Sequence, residues 1–295
     1  MSYIRATLIP ILTITAILIV VWYAAAIWLN STFEFDTAER RDIQISWAEV
    51  IPATMAQKRP VLPPPHQIGA EMYDTIIDKK ITSKRSLVYH GWITLSVTLL
   101  GFAMGTALGV MLAIGIVHSR VLDMSLLPWI ITSQTIPILA LAPMLIVVMN
   151  AVGVTGLVPK AMIATYLSFF PVAVGMVKGL RSPEAMQMDL MHTYSANSWQ
   201  TLWKLRLPAS VPYLFASMKV GVAASLVGAI VAEMPTGAVA GLGARLLAGS
   251  YRGQTVQIWS ALFTAAIMAA LLVAIVGLVG TWLNRRMGQR EEELA

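Results

Sequence analysis

Long apolar runs alternate with short polar breaks over most of the chain. The first run extends from Leu8 to Leu29 and contains no charged residue. Five further runs follow, at about 91–117, 126–149, 157–179, 211–233 and 257–283. Because a helix needs about 20 mostly apolar residues to cross the hydrocarbon layer, the pattern predicts an all-α integral membrane protein with six transmembrane helices.

The first apolar run has two interpretations. Arg5 precedes it, and the small residues Ala24, Ala25 and Ala26 resemble a processing site, so a cleaved signal peptide is one reading. The run is long for the apolar part of a signal. We therefore predict an N-terminal anchor helix over residues 1–30.

Residues 31–90 differ from the rest of the chain. Acidic and basic side chains alternate along them, and Leu62-Pro63-Pro64-Pro65 stands in the middle. Proline cannot continue a helix, so we expect an extramembrane segment that the prolines divide into two short helical parts.

Composition supports a bilayer setting. Of the residues, 57% are hydrophobic and 12% are charged, whereas soluble domains average roughly 45–50% and 25%. The formal net charge of +6 does not indicate nucleic acid, since the basic residues lie beside apolar runs, as the positive-inside bias predicts. With the N-terminus inside, both termini are cytoplasmic, the 31–90 segment is extracytoplasmic, and residues 287–295 form a cytoplasmic tail.

Small residues recur at helical spacing in two of the apolar runs. Gly101, Gly105 and Gly109 are four residues apart, and Gly221 lies among small residues in the fifth run. In lipid, small residues allow helix backbones to approach closely. We therefore predict that these glycines pack against other helices of a bundle.

Polar groups inside the apolar runs are candidates for the solute path. Pro128, Pro137 and Pro143 predict a kinked or opened third helix. Gln134 and Thr135, beside Pro137, either satisfy the opened backbone or face a passing solute. Glu233, at the outer end of the fifth run, either lines a path or caps the following loop.

The common catalytic and phosphate-binding motifs are missing from the sequence. The chain has no cysteine, no phosphate-binding G-x-x-x-x-G-K-[ST] loop, no H-E-x-x-H and no G-x-S-x-G, and its four histidines are scattered. We expect no catalytic site, no metal site and no cofactor in this chain.

The segment 181–212 has the pattern of two short helices between the fourth and fifth apolar runs. Ser182, Pro183 and Glu184 are typical of a helix start. Trp199, Leu202, Trp203 and Arg206 follow at helical spacing, and Pro208 and Pro212 are expected to end that helix. Two tryptophans on one face suit either a groove on a partner protein or the membrane interface.

This segment resembles the EAA loop of ABC importer permeases. Asp189-Leu190-Met191 stands at the Glu-Ala-Ala place, Ser195-Ala196 at the Gly-Ala place, and Leu207-Pro208-Ala209 at the closing hydrophobic-Leu-Pro. Aspartate and Ser195 are departures from that pattern. The wider resemblance is to permeases of the sulfonate, taurine and nitrate importer group, through Leu62-Pro63-Pro64-Pro65, the run Ile136 to Pro143, Ala232-Glu233-Met234 and Gly241-Leu242-Gly243.

The resemblance implies a type I ABC importer-like permease bundle in the bacterial inner membrane. Its five-helix core would cover residues 91–286, with a cytoplasmic coupling loop at 181–212. Coupling to the ATPase would rest on Asp189, His192, Tyr194, Ser195, Ala196, Trp199, Trp203, Leu207 and Pro208. The implied partners are a second permease subunit, identical or homologous, a cytoplasmic ATPase dimer that holds ATP and Mg, and an extracytoplasmic substrate-binding protein.

The implied cargo is a small solute, anionic and similar to a sulfonate, taurine or nitrate, with a pyrimidine or a vitamin precursor as the alternative. A secondary transporter driven by an ion gradient is the main rival class. It would require paired intramembrane charges or inverted repeats, and neither is clear in the sequence. A membrane scaffold is a second rival, but it gives no reason for three prolines in one span.

Overall fold

The described part of the chain is helical. The computed structural model describes residues 2–234 and 240–288, and no strand occurs among them, which confirms the all-α prediction. The helices are α1 Ser2–Arg40, α2 Trp47–Met55, α3 Pro65–Tyr73, α4 Leu87–His118, α5 Arg120–Ser133, α6 Ile138–Ala151, α7 Leu157–Leu180, α8 Ala185–Thr193, α9 Ser198–Thr201, α10 Leu207–Glu233, α11 Leu242–Arg252 and α12 Thr255–Arg286. Two wider π turns occur, at Asp74–Asp78 and Leu202–Arg206.

Among the described residues, five helical stretches are long and apolar enough to cross a membrane. They are Leu8–Arg40, Leu87–His118, Leu157–Leu180, Ser198–Glu233 and Thr255–Arg286. The third apolar run is different, because α5 and α6 meet at 102°. It forms two helices rather than one kinked helix.

The break lies at only one of the three prolines. Pro137 is the N-cap of α6, whereas Pro128 and Pro143 lie inside α5 and α6. Proline disfavours the α conformation at the residue before it, which is Ile136 here. Helix α5 has already ended three residues earlier, at Ser133. The predicted opening of the third helix therefore occurs at Pro137.

Some helices begin or end at other residues than the sequence pattern predicts. Helix α1 continues to Arg40, past the predicted anchor end at residue 30, and α4 begins at Leu87. Of the predicted tail 287–295, only residues 287–288 are among the described residues.

The described residues form two compact units. The first contains the chain up to Tyr89 together with Arg245–Thr264. The proline segment of this unit, residues 62–65, is held by the fully buried Asn30. Asn30 Oδ1 accepts the N–H groups of Val61 (2.7 Å) and Leu62 (3.2 Å), and Asn30 Nδ2 donates to the Leu62 carbonyl (2.9 Å). Trp22 donates from Nε1 to the Pro63 carbonyl at 3.1 Å. These bonds satisfy a backbone that the prolines keep out of a helix.

The second unit contains His90–Ala244 and the chain from Ala265 onward. Helix α7 is packed between α4 and α10. A Cβ added to Gly105 on α4 would lie 2.0 Å from Ser168 Oγ on α7, and one added to Gly228 on α10 would lie 2.7 Å from Ala164 Cα. Such approaches are possible only without side chains, so glycine sets the spacing of the three helices.

The glycines singled out in the sequence all lie in these contacts. Gly101 faces Ala164 and Gly109 faces the backbone of Ala173, while Gly221 approaches Val172 from α10. Interhelical hydrogen bonds accompany the packing, such as that from Ser225 Oγ to the Thr98 carbonyl at 2.8 Å.

Candidate functional site

The predicted coupling loop begins with α8. Its N-cap is Glu184, and Gln187 Oε1 accepts the Glu184 N–H at 3.1 Å. The helix start is therefore set by Glu184 and Gln187, not by Ser182 and Pro183 as the sequence suggested. Every residue of α8 remains outside the protein core.

Helix α8 ends in a tight left-handed cap. The Ala196 N–H donates to the Met191 carbonyl and the Ser195 N–H donates to the His192 carbonyl, both at 2.9 Å. This pair of bonds is the Schellman motif, whose left-handed position favours glycine. Ser195 occupies that position with φ of +53°. Glycine, which the EAA pattern has at this place, adopts such a backbone without the penalty of a Cβ atom.

The second helix of the loop is continuous with a membrane span. Asn197 caps it reciprocally, since Asn197 Oδ1 accepts the Gln200 N–H at 2.8 Å and Gln200 Oε1 accepts the Asn197 N–H at 3.0 Å. From Ser198 the chain stays helical to Glu233. The expectation that Pro208 and Pro212 end this helix is wrong.

A π turn explains how the helix passes Pro208. Proline lacks an N–H and clashes with the carbonyl four residues earlier. The wide turn Leu202–Arg206 lies immediately before it, with the Leu207 N–H bonded to the Leu202 carbonyl. Widening the helix here moves the carbonyls away from the ring, so the helix continues.

The predicted coupling loop, residues 181–212, exposes a set of large apolar side chains. The Trp199 and Trp203 rings meet edge to face at 5.6 Å, and their exposed fractions are 64% and 56%. Three further exposed side chains on the same segment are Met186, Leu190 and Tyr194. Exposed apolar clusters of this kind mark interaction surfaces.

The remaining predicted coupling residues surround or support this surface. Asp189 is exposed, and Leu207 packs on the apolar core of the unit. His192 and Ala196 line a cavity of about 250 Å³ together with His118 and Arg206. Pro208 is exposed at the start of α10.

The candidate path residues of the third run lie at the break between α5 and α6. Thr135 and Pro137 are exposed, and Gln134 is half-buried. Thr135 Oγ1 donates to the Thr132 carbonyl at 2.8 Å, and the Tyr166 hydroxyl donates to the Ser133 carbonyl. Local hydrogen bonds therefore satisfy the end of α5.

Glu233 is placed differently from its neighbours in the candidate set. It is fully buried, and both carboxylate oxygens lie 2.9 Å from Thr94 Oγ1. Its Oε2 also accepts the Gly243 N–H at 2.9 Å. The carboxylate thus caps the start of α11, and these contacts favour the capping interpretation over the path interpretation.

The loop before α11 is shaped around this carboxylate. Gly241 has φ of +123°, and a Cβ there would lie 2.3 Å from the Glu233 carboxyl carbon. The Gly241 N–H donates to His90 Nδ1 at 3.0 Å, and the Leu242 N–H donates to Thr94 Oγ1 at 2.9 Å. The pair Gly241 and Gly243 is explained by this close approach; residues 235–239 of the loop lie outside the described part.

The first unit contains a buried cation, Arg245. Arg245 Nη2 lies 3.4 Å from Glu71 Oε1, with only 9% of the arginine side chain exposed. Burial lowers the pKa of the Arg245 guanidinium, and the nearby Glu71 carboxylate opposes that shift.

Sequence reasoning missed Lys219. This lysine lies inside the fifth apolar run, near the middle of α10, and its side chain is exposed. Its stem crosses α12 at Gly277, where an added Cβ would lie 3.2 Å from Lys219 Cε. A charge within an apolar run was the available signal.

Comparison with known proteins gives the family. Residues 105–289 match the profile of the binding-protein-dependent transport system inner membrane component. The chain is 30% identical over 225 residues to the riboflavin transport system permease protein RibX of Chloroflexus aurantiacus, covering 76% of this chain and 80% of that protein. It is 28% identical over 194 residues to the formylaminopyrimidine transport permease protein ThiX of Halalkalibacterium halodurans, covering 65% and 72%.

A more distant relative is also a transport permease, and a solved structure has a similar fold. The putative aliphatic sulfonates transport permease protein SsuC of Bacillus subtilis is 25% identical over 201 residues, covering 68% of this chain and 71% of that protein. A chain of the MetNI methionine ABC transporter, in an inward-facing conformation, superposes with a TM-score of 0.57 at 19% identity, covering 68% of this chain and 96% of that chain. This chain therefore belongs to the binding-protein-dependent transport system inner membrane components, the permease subunits of ABC importers.

Proposed function

We propose that this permease works as half of a translocation path, with a second permease subunit as the other half. An ATPase dimer binds beneath the coupling segment, and a binding protein delivers solute from outside. Both termini are cytoplasmic, and the chain itself holds neither ATP nor Mg. The 31–90 segment and the loop before α11 face the binding protein.

The observation that carries the coupling proposal is the exposed surface of the segment 185–206. Trp199 and Trp203 lie one turn apart on a helix that runs without interruption into the membrane span ending at Glu233. A partner bound to these two rings would contact a continuous helix, which is stiffer than a flexible loop. Movement of the ATPase is therefore transmitted along α10 to the helices packed on it.

A tight link between α8 and α9 supports the same role. Only four residues, 194–197, separate the first helix from the second, and each of the helix ends there has a hydrogen-bonded cap. Capped ends keep the two helices in a defined relative orientation. The segment would therefore present one shape to its partner.

The solute is proposed to be small and anionic, in the class of sulfonates, taurine or nitrate. The relatives described above include a sulfonate permease, which supports this class, and also riboflavin and formylaminopyrimidine permeases. A pyrimidine or vitamin precursor is the alternative cargo.

The experiment is purification of the permease from cells that express it together with its neighbouring genes. We expect the ATPase to co-purify with the unaltered chain. The double variant Trp199→Ala plus Trp203→Ala should lose at least about tenfold in bound ATPase, because exposed aromatic side chains dominate interface energies.

Trp129→Ala is the matched control, since Trp129 is 75% exposed but lies on α5. It should leave ATPase binding unchanged. If the double variant bound ATPase normally, the aromatic pair would not be the ATPase contact, and the membrane-interface interpretation would be favoured instead. A well-folded chain that bound no ATPase at all would favour the secondary-transporter class.

A further inference from the structure

Lys219 is a cation in the middle of a membrane span. At 1.5 Å of rise per residue, it lies ~20 Å along the helix from both Arg206 and Glu233. The hydrocarbon layer is about 30 Å thick. The lysine side chain is too short to reach either interface from this position, so its charge needs a polar neighbour within the membrane.

The described residues provide no counter-ion for it. The ion pairs recorded among residues 2–234 and 240–288 join Lys79 to Asp74, Arg181 to Asp123 and Arg245 to Glu71. Within that part of the chain, Lys219 also has no hydrogen bond recorded. An unpaired ammonium in lipid raises the free energy of the folded protein, so we expect water or an anion beside it.

The surroundings of Lys219 leave it open on one side. The buried face of α10 contains Gly221, Ser225 and Gly228, which pack toward α7 and α4. Lys219 lies on the other side, with Ala216, Val220 and Val227 exposed beside it. Its ammonium passes over Gly277 of α12, where an added Cβ would lie 3.6 Å from Nζ. The absence of a side chain at Gly277 leaves room for the cation.

We infer that this face of α10 lines the water-filled solute path, and that Lys219 is the site on it that attracts an anionic group of the solute. The inference rests on the proposed permease function and assigns the path to a helix face that faces neither α7 nor α4. A cation between low-dielectric walls concentrates anions and repels cations. The charge would thus favour solutes with a sulfonate, carboxylate, phosphate or nitrate group.

The absence of native cysteine allows a direct test. In Ala216→Cys, the thiol is one turn from Lys219 on the exposed side of α10. The purified complex is treated with either of two membrane-impermeant thiol reagents of opposite charge, the anionic sulfonatoethyl and the cationic trimethylammonium-ethyl methanethiosulfonate. Each rate is divided by the rate of the same reagent with free cysteine.

We expect Ala216→Cys to react, with the anionic reagent favoured by about tenfold or more, since unit charges at this distance interact appreciably even when partly screened by water. Adding Lys219→Gln should remove the preference, and adding Lys219→Arg should keep it. Leu18→Cys, on the exposed apolar face of α1, is the lipid-facing control and should not react.

Two outcomes would overturn the inference: failure of Ala216→Cys to react, which would place this face against lipid or protein, or a charge preference that survives Lys219→Gln. ATPase co-purification is measured in the same preparations. It reports on the proposed function separately, so loss of one result does not imply loss of the other.

Discussion

The Glu233 carboxylate lies 2.9 Å from the Thr94 hydroxyl, although 139 positions separate the two residues in the sequence. The contact joins the end of α10 to α4, and Gly243 joins the start of α11 to the same carboxylate. A single buried side chain therefore connects three helices on one side of the second unit.

Glu233→Ala should destabilise the protein by about 1–3 kcal/mol for each buried donor left without an acceptor. Thr94→Val should act in the same direction, and the double variant should lose less than the sum because the two residues share one contact. The measurement is denaturant unfolding in detergent. Ser96→Ala is the control, since its exposed hydroxyl bonds only to the Trp92 carbonyl of its own helix; an equal loss there would contradict the assignment.

Gly241→Ala should be much more damaging than Gly253→Ala. Both glycines have positive φ, but a Cβ at Gly241 would overlap the Glu233 carboxylate, while nothing lies within 4 Å at Gly253. Gly253→Ala should cost only the strain of a left-handed residue, roughly 1–2 kcal/mol. Thermal unfolding of the two variants compares them, and similar melting temperatures would argue against the close approach at Gly241.

Ser195→Gly should stabilise the cap of α8 by about 1 kcal/mol, because glycine adopts positive φ without the Cβ penalty. Hydrogen exchange over residues 185–197 is the measurement, and protection should increase. Ser198→Gly is the contrasting variant, since Ser198 is helical and glycine there should decrease protection. Faster exchange in Ser195→Gly would mean that φ at this position is not left-handed in solution.

Gly105→Ala should strongly weaken the packing of α4 on α7. An added Cβ would lie 2.0 Å from Ser168 Oγ and 3.1 Å from the Phe169 nitrogen. Combining it with Ser168→Ala should recover part of the loss by removing the nearer atom. Gly91→Ala on the same helix has nothing within 4 Å and should be neutral or slightly stabilising, which expression level and unfolding in detergent would show.

Asn30→Leu should release the proline segment. It leaves the Val61 and Leu62 N–H groups without their acceptor. Limited trypsin digestion should then cleave faster after Lys58, which precedes the segment; the bond after Arg59 is an Arg–Pro bond, which trypsin does not cleave. Gln44→Leu, at an exposed position of the same unit, should leave the cleavage rate unchanged.

Part of the candidate site was predictable from residue type, and part was not. The position of Ser195 in the loop was found from its place in the pattern, while its left-handed backbone follows from the cap that Met191 and His192 form. Pro208 suggested a helix end, because a local rule cannot anticipate the π turn that accommodates it. Glu233 was identified as a costly buried carboxylate, but the sequence left open whether it faces a solute or a loop.

The membrane setting and the approximate positions of the helices follow from the amino-acid sequence alone, because the length of an apolar run is a local property that must match the thickness of the bilayer. The sequence also marked the glycines of α4, because spacing along one helix shows which residues share a face. Three features became visible only in the folded chain: α7 is the partner of these glycines, α6 turns away from α5, and Glu233 contacts Thr94. Each of these depends on which distant segments pack together, and packing is chosen by the fit of whole helix surfaces rather than by any local run of residues.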